Sequence, residues 1–291
     1  MGRGMVSNLI AKGKYDGKVL VYNRTQSKSE PFKDTAEVCS SAKDLIQMSD
    51  LIFTILSDDT AILESYQSFL DQADVKGKTF ADASTVHPET TQQLQQLVHR
   101  AGAAFVACPV FGAPPMAQSG NLVIVLAGDS SALQVVRPFC KSVMGKAVVE
   151  VGNEVSKATA LKVTGNTLIL SMVTSLAEAN VLAEKSGLDT DHLLQFVDNV
   201  FAGPYTAYSK RMTGGDYLAS EPAFAVDLAR KDARHAKHLA DKAAVVISSN
   251  EPASSYLQEV RENQGSKGDI ASIYGVVRKR AGLAYEVPRK S

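Results

Sequence analysis

The chain has 291 residues, a hydrophobic content of 45% and equal numbers of basic and acidic side chains, 31 of each. This length favours two domains, and the apolar content supports a packed core of the kind found in soluble globular proteins. The balanced charge gives no electrostatic basis for binding nucleic acid or an anionic membrane surface.

The three cysteines, Cys39, Cys108 and Cys140, are far apart in the sequence and form no C-x-x-C pair. This argues against a zinc site and against a disulfide framework, so we expect no metal and a reducing compartment. No secretory signal pattern opens the chain, which predicts a cytoplasmic location, with an organelle as the open alternative. The longest stretch without charge, residues 163–177, is shorter than a membrane span and predicts a buried helix.

The first residues predict the second half of a dinucleotide-binding βαβ unit. A helical segment with small residues at its start, including Gly2, leads to the apolar run Lys18–Tyr22 and the polar turn Asn23–Thr25. Such a unit opens with a strand and a G-x-G turn in front of the helix. Because neither precedes Gly2 in this sequence, we expect a sheet that lacks its first strand.

Short apolar runs alternate with helical patterns up to residue 152, and beyond it only helical patterns remain. The alternation predicts an α/β fold, a Rossmann-type doubly wound and mainly parallel sheet, in residues 1–152. An all-helical domain is predicted for residues 153–291. The predicted strands are Lys18–Tyr22, Ala36–Cys39, Leu51–Leu56, Thr79–Asp82, Ala104–Cys108, Leu122–Ala127 and Ala147–Val151; the predicted helices are Thr60–Gln72, Pro88–Ala101, Ser131–Val143, 154–187, 190–201, 222–246, 253–263 and 269–280.

Polar residues follow several predicted strands, where sites in parallel sheets are found. In Asn23-Arg24-Thr25, a guanidinium without an acidic neighbour favours the 2′-phosphate of NADP, whereas a solvated turn is the alternative. Leu56-Ser57, followed by two aspartates, borders a cofactor or caps the next helix, and we favour the cap. Thr85, with Ser84 before it, allows the same two interpretations.

Two later segments suggest chemistry. Phe111-Gly112-Ala113 lies in a Pro- and Gly-rich turn whose backbone N–H groups suit a carboxylate, or which is a structural loop. Lys162 and Asn166 are four residues apart on one face of an otherwise apolar helix, although most such pairs face solvent. Lys231, followed by an aspartate, has an exposed charged helix face as its alternative interpretation.

Together these motifs resemble the β-hydroxyacid dehydrogenase family. That family includes 3-hydroxyisobutyrate dehydrogenase, tartronate semialdehyde reductase and glyoxylate/succinic semialdehyde reductase, and it is related to 6-phosphogluconate dehydrogenase. The resemblance covers nearly the whole chain. The matching segments are Met1-Gly2, Asn23–Thr25, Asp82–Thr85, Pro109–Gly120, Lys162 with Asn166, and Phe224 with Lys231-Asp232.

The resemblance implies an NADP-dependent oxidoreductase, with NAD as the alternative cofactor, that acts on a small β-hydroxy acid or aldehyde acid. It implies Lys162 as general acid and base, and it favours a homodimer or homotetramer. The implied substrate contacts are Phe111, Gly112, Ala113 and Asn166. The implied cofactor contacts are Gly2, Asn23, Arg24, Thr25, Leu56, Ser57, Thr85 and Lys231.

One departure from the family pattern concerns the substrate. Relatives usually carry Ser-Gly-Gly where this chain has Phe111-Gly112-Ala113, so we expect a more apolar or partly filled pocket. Two other interpretations stay open. In the first, the chain is a non-catalytic dinucleotide-binding or interaction protein derived from the family. In the second, it is an incomplete gene model of an active enzyme.

Overall fold

The computed structural model describes residues 1–219 and 221–287. It divides into two compact units, Met1–Lys162 and Val163–Ser291. The predicted domain boundary at residues 152 and 153 lies shortly before helix α7, Val155–Lys185. The division into units falls within this continuous helix.

The N-terminal unit contains the strands of the sheet. β1 and β2 form a two-stranded parallel sheet, and the other strands form a six-stranded sheet in the order β3-β4-β5-β7-β6, with β8 paired to β7. The strand bounds in the described residues are β1 Leu20–Val21, β2 Glu37–Val38, β3 Leu51–Thr54, β4 Thr79–Asp82, β5 Ala104–Ala107, β6 Val110–Phe111, β7 Leu122–Gly128 and β8 Gly145–Glu150.

The centre of the larger sheet is parallel and buried on both faces. β3 pairs with β4, and β4 with β5, in parallel register. Neighbouring residues of one strand enter different apolar clusters: Ala81 joins one cluster and Phe80 the other. This is the pattern expected when helices cover both faces of a sheet. The predicted α/β doubly wound sheet is therefore confirmed, and β4 has the predicted bounds.

β7 runs antiparallel to its neighbours β5 and β6. The predicted rigid turn after Cys108 in fact contains β6, and the Val125 N–H donates to the Pro109 carbonyl at 2.9 Å across the junction of β5 and β6. The strand was missed in the sequence because Pro109 removes one backbone donor, which is typical of a strand end. The segment after it is also regular, since Pro114–Ser119 forms a short helix.

β1 and β3 belong to different sheets. Among the described strands, β1 pairs with β2 alone and β3 with β4 alone. In a doubly wound sheet another strand stands between these two positions.

Helices of the N-terminal unit connect the strands. The predicted helix Ser131–Val143 stops early, because Pro138 in the following 3₁₀ turn cannot donate a helical hydrogen bond. The bounds are α1 Gly2–Lys12, α2 Ala42–Gln47, α3 Asp59–Gln72, α4 Pro88–Arg100, α5 Pro114–Ser119 and α6 Ser130–Val136.

The described part of the C-terminal unit is helical, as predicted, apart from one isolated bridge between Ala225 and Asp269. The helix Gly203–Thr213 was not predicted from the sequence. Its opening Gly203-Pro204 resembles a helix breaker, yet proline is well tolerated in a first helical turn. Beyond α7 the bounds are α8 Thr190–Val200, α9 Gly203–Thr213, α10 Val226–Lys242, α11 Glu251–Gln264 and α12 Ile273–Arg280.

The C-terminal unit has its own core. Leu170, Val173 and Leu257 belong to one buried cluster drawn from most of its helices. By length and composition α7 meets the criteria for a membrane span, but half of its most apolar window is buried inside the protein. Partial burial of this kind is common in the core helix of a soluble protein, which is how the sequence analysis interpreted residues 163–177.

Candidate functional site

A buried hydrogen-bond network joins the carboxyl ends of β3 and β4. The Asp82 carboxylate, 2% exposed, accepts hydrogen bonds from the Thr54 and Ser84 hydroxyls, each at 2.8 Å. Because the Thr54 proton is committed to Asp82, the Tyr66 hydroxyl donates to Thr54 Oγ1, at 2.8 Å. Burial, and then the charge of Asp82, raise the pKa of Tyr66 well above its ordinary value. The phenol therefore stays protonated and supports the network as a donor.

The same network fixes the turn after β3. The Leu56 N–H donates to Ser84 Oγ at 2.8 Å, which links this turn to the segment after β4. Ser84 is therefore not a helix cap, and the residue that caps α4 is His87. The cap favoured for the Leu56–Asp59 segment is confirmed, because Asp58 accepts from the Ala61 N–H at 2.9 Å.

A second contact holds the other end of the segment after β4. Asp59 Oδ1 accepts from the His87 N–H at 2.8 Å and from the Thr90 hydroxyl at 2.6 Å. Within residues 81–88, Thr85 alone is half-buried and the others are buried. The two contacts therefore present Thr85 from a rigid segment at the carboxyl edge of the sheet.

The turn after β1 is more open. The Thr25 N–H donates to Asn23 Oδ1 at 2.9 Å, and Asn23, Arg24 and Thr25 are all exposed. This turn closes on itself and leaves the Arg24 side chain on the surface. It follows the smaller sheet, whereas Leu56, Ser57 and Thr85 follow strands of the larger one.

Helix α1 begins at Gly2 and lies close to the end of β3. A Cβ added at Gly2 would stand 3.0 Å from Ile55 Cγ2, and one added at Gly4 would stand 2.7 Å from backbone atoms of α5. Asn8, 3% exposed, donates to the Ala117 carbonyl at 2.8 Å and joins the two helices. The glycines thus allow the N-terminus of α1, with its free backbone donors, to approach the sheet closely.

Lys162 and Phe111 are in direct contact. The Lys162 ammonium lies 4.3 Å from the centroid of the Phe111 ring, within the range of a cation–π interaction. Lys162 is only 8% exposed. Next to Phe111, Gly112 has a φ of +139°, and an added Cβ would lie 2.8 Å from Leu122 Cδ2. A larger residue would therefore be strained at this position, which was predicted to contact the substrate.

A buried polar group in the C-terminal unit consists of Asn166, Lys231 and Asp232. Asn166 Nδ2 donates to Asp232 Oδ2 at 2.6 Å, and the Lys231 ammonium is 3.0 Å from Asp232 Oδ1. Their exposed fractions are 3%, 3% and 7% for Asn166, Asp232 and Lys231. The alternative of an exposed charged face is therefore wrong for Lys231 and Asp232.

Two of the residues predicted to act on the substrate lie on one helix. α7 carries both Lys162 and Asn166, one helical turn apart. A buried lysine beside polar groups is able to give or take a proton at a carbonyl or hydroxyl oxygen. Thr54, Asp59 and Asn8 were not predicted from the sequence, because each acts through a partner that is distant in the chain.

Family models match both parts of the chain. The NAD-binding domain of 6-phosphogluconate dehydrogenase matches residues 1–152. The NAD-binding domain of NADP-dependent 3-hydroxyisobutyrate dehydrogenase matches residues 156–277. These matches bear out the predicted dinucleotide cofactor, and the second supports NADP.

Similar proteins cover most of the chain. An NADH-dependent oxidoreductase of Aspergillus ustus is 34% identical over 98% of both chains. Glyoxylate/succinic semialdehyde reductase 1 of Arabidopsis thaliana is 34% identical over 84% of both chains. The solved structure of Mycobacterium tuberculosis 3-hydroxyisobutyrate dehydrogenase with L-serine superposes with a TM-score of 0.80, at 21% identity over 96% of both chains, and shows a shared fold.

Proposed function

Because this chain belongs to the β-hydroxyacid dehydrogenase family of NAD(P)-dependent oxidoreductases, we propose that it moves a hydride between NADP(H) and a small β-hydroxy acid or aldehyde acid. The observation that carries the proposal is the buried Lys162, one turn before Asn166 on α7. When bound, the nicotinamide supplies or accepts the hydride. Lys162 gives a proton to the carbonyl oxygen during reduction and takes it from the hydroxyl during oxidation.

The remaining predicted residues bind and orient. Asn166 and the backbone of Gly112-Ala113 hold the acid, and Thr85 and Lys231 border the cofactor. The activity named for the Arabidopsis relative supports a semialdehyde substrate. Burial of Lys162 and Asn166 weighs against the non-catalytic alternative, since buried polar groups without a role are costly to keep.

The N-terminal unit fits a dinucleotide. The N-terminus of α1 at Gly2 offers backbone N–H groups to a pyrophosphate, as helix N-termini do. Leu56 and Ser57, fixed to the end of β4 through Ser84, provide the next contacts along the sheet edge. We further propose a homodimer or homotetramer, which the exposed Leu168 and Leu182 of α7, at 70% and 67%, support.

Arg24 is proposed to select NADP(H). A charge-assisted hydrogen bond contributes about 1.5–3 kcal/mol, so we expect at least a roughly tenfold preference over NAD(H). Arg24→Ala should abolish this preference, while Lys33→Ala, an exposed lysine elsewhere in the N-terminal unit, should not. Because the Aspergillus ustus relative is NADH-dependent, the titration also separates this chain from that relative.

The activity test follows the oxidation of NADPH and NADH with a panel of glyoxylate, succinic semialdehyde and related aldehyde acids. Turnover of at least one of them, faster with NADPH, supports the proposal. If the protein binds NADPH but neither reduces any aldehyde acid of the panel nor oxidises the corresponding hydroxy acids with the oxidised cofactor, the proposed reaction is wrong. Equal affinities of the wild-type protein for the two cofactors would contradict the proposed role of Arg24 but not the proposed reaction.

A further inference from the structure

We propose that Phe111 is a positioning residue for Lys162, and that its ring holds the ammonium in place for proton transfer. This inference rests on the proposed function. It assigns to Phe111 a role different from substrate binding, and it is carried by the 4.3 Å separation between Lys162 Nζ and the ring centroid.

The ring is held firmly enough to serve as a support. Phe111 lies on β6, where it pairs with Val123 of β7 in antiparallel register. Its side chain is half-buried and packs against the apolar cluster that includes Phe105 and Ala107. Gly112 follows it in a backbone conformation that a larger residue adopts only with strain. The strand pairing and the packing therefore limit how far the ring can move.

Lysine needs such a support more than most catalytic groups. Its ammonium ends a flexible four-carbon stem, and its burial to 8% exposure removes most of the water that would solvate the charge. The negative face of an aromatic ring attracts the cation, and this attraction is strongest when the pair is desolvated. A ring attracts the ammonium through its π face and has no basic atom of its own that would take the proton.

The contact also explains how a phenyl group is tolerated at a position where the family usually carries a serine. A serine hydroxyl would contact a substrate carboxylate directly. Phe111 instead acts on the substrate through Lys162. Phenylalanine at this position therefore orients the substrate through Lys162 instead of by direct contact, and the proton donor itself is kept.

The kinetic test compares Phe111→Leu with Phe111→Tyr in the full chain. Leucine keeps an apolar side chain but has no π face, whereas tyrosine keeps the ring. We expect kcat to fall about 5- to 30-fold in Phe111→Leu, equivalent to about 1–2 kcal/mol, and to stay within about threefold of wild type in Phe111→Tyr. The KM for NADPH should be unchanged in both variants, since the ring contacts the lysine and not the cofactor. Thermal melting of each variant controls for misfolding.

An NMR measurement tests the contact without turnover. In protein labelled with ¹³C-lysine, the Hε signal that disappears in Lys162→Ala should be shifted upfield by the ring current. The shift should persist in Phe111→Tyr and be lost in Phe111→Leu. A Lys162 signal at the ordinary position in the wild-type protein would overturn the inference, as would an unchanged kcat in folded Phe111→Leu. Absence of turnover in the wild-type protein would contradict the proposed function instead, and the NMR shift alone would then decide whether Phe111 fixes the lysine.

Discussion

The Lys162 side chain is almost completely shielded from solvent, and its contribution to the turnover rate is measurable by replacing it. General acid–base groups in position contribute about 10²–10⁴-fold to rate. We expect Lys162→Ala to lose turnover by this factor and to keep its NADPH affinity within a few-fold. Lys157→Ala is a matched control, because Lys157 lies on the same helix but is exposed and paired with Glu154. Near-wild-type kcat in Lys162→Ala would remove this residue from the reaction.

The raised pKa values of two buried thiols predict how slowly the folded protein reacts with a thiol reagent. Burial raises the pKa of Cys140 to about 12, with the charge of Glu150 as the smaller cause, and it raises that of Cys108 well above the ordinary range. A raised pKa means that the native state favours the neutral thiol, so the reactive thiolate is scarce at pH 8. The folded protein should react with a thiol reagent at least about tenfold more slowly at these two positions than the denatured chain does. Mass spectrometry of timed, quenched samples measures this, and rapid labelling of Cys108 and Cys140 in the folded protein would contradict it.

Hydrogen bonds link the segments that follow β3 and β4, and removing one hydroxyl group tests the importance of this link. Ser84→Ala removes the acceptor for the Leu56 N–H and a donor to Asp82. Leaving a buried partner unsatisfied costs about 1–3 kcal/mol, so the melting temperature should fall and NADPH should bind more weakly. Ser119→Ala is the control, because within residues 1–219 and 221–287 that exposed serine bonds to carbonyls of its own helix and to Asn121. Equal effects of the two substitutions would show that Ser84 has no special role.

Single elements also show how far sequence reasoning reaches. β4 was predicted with correct bounds because its run is apolar, short and ends at a polar residue. β6 was missed because its two residues follow a proline and carry no period of their own. Local patterns thus locate regular strands but not those that exist through pairing with a distant strand.

The candidate site shows the same division. Lys162, Asn166 and Lys231 were identified from motifs, but their burial was undecided because the partners are far along the chain. Asp232 lies 66 residues after Asn166, and Asp82 lies 28 residues after Thr54. Only the folded chain brings such partners within hydrogen-bond distance. The contact of Phe111 with Lys162 belongs to this class too, and no sequence pattern indicated it.

At the scale of the whole molecule, each unit has its own apolar core. The N-terminal unit has two clusters on either side of its larger sheet, and the C-terminal unit has one cluster built from helices. The smaller sheet, formed by β1 and β2, is less well supported. β1 and β2 are two residues long, and both residues of β2 are exposed. An isolated two-stranded sheet is marginally stable, so the turn that carries Arg24 has weak support.

A strand placed between β1 and β3 would join the two sheets and strengthen this support. It would pair with the unpaired edges of β1 and β3 and place a tight glycine turn at the N-terminus of α1. We expect the chain extended in front of Met1 by about ten residues, a strand ending in G-x-G, to melt at a higher temperature than this chain.

The same extension should increase the stabilisation by NADPH, because ligand stabilisation grows with affinity as RT ln(1 + [L]/Kd). An extension of equal length rich in glycine and serine is the control, since it adds residues but cannot pair as a strand. The measurement is thermal melting of the three proteins with and without NADPH. A cooperative melt and a large NADPH-induced shift in the unextended chain, with no gain on extension, would show that the two sheets need no strand between them.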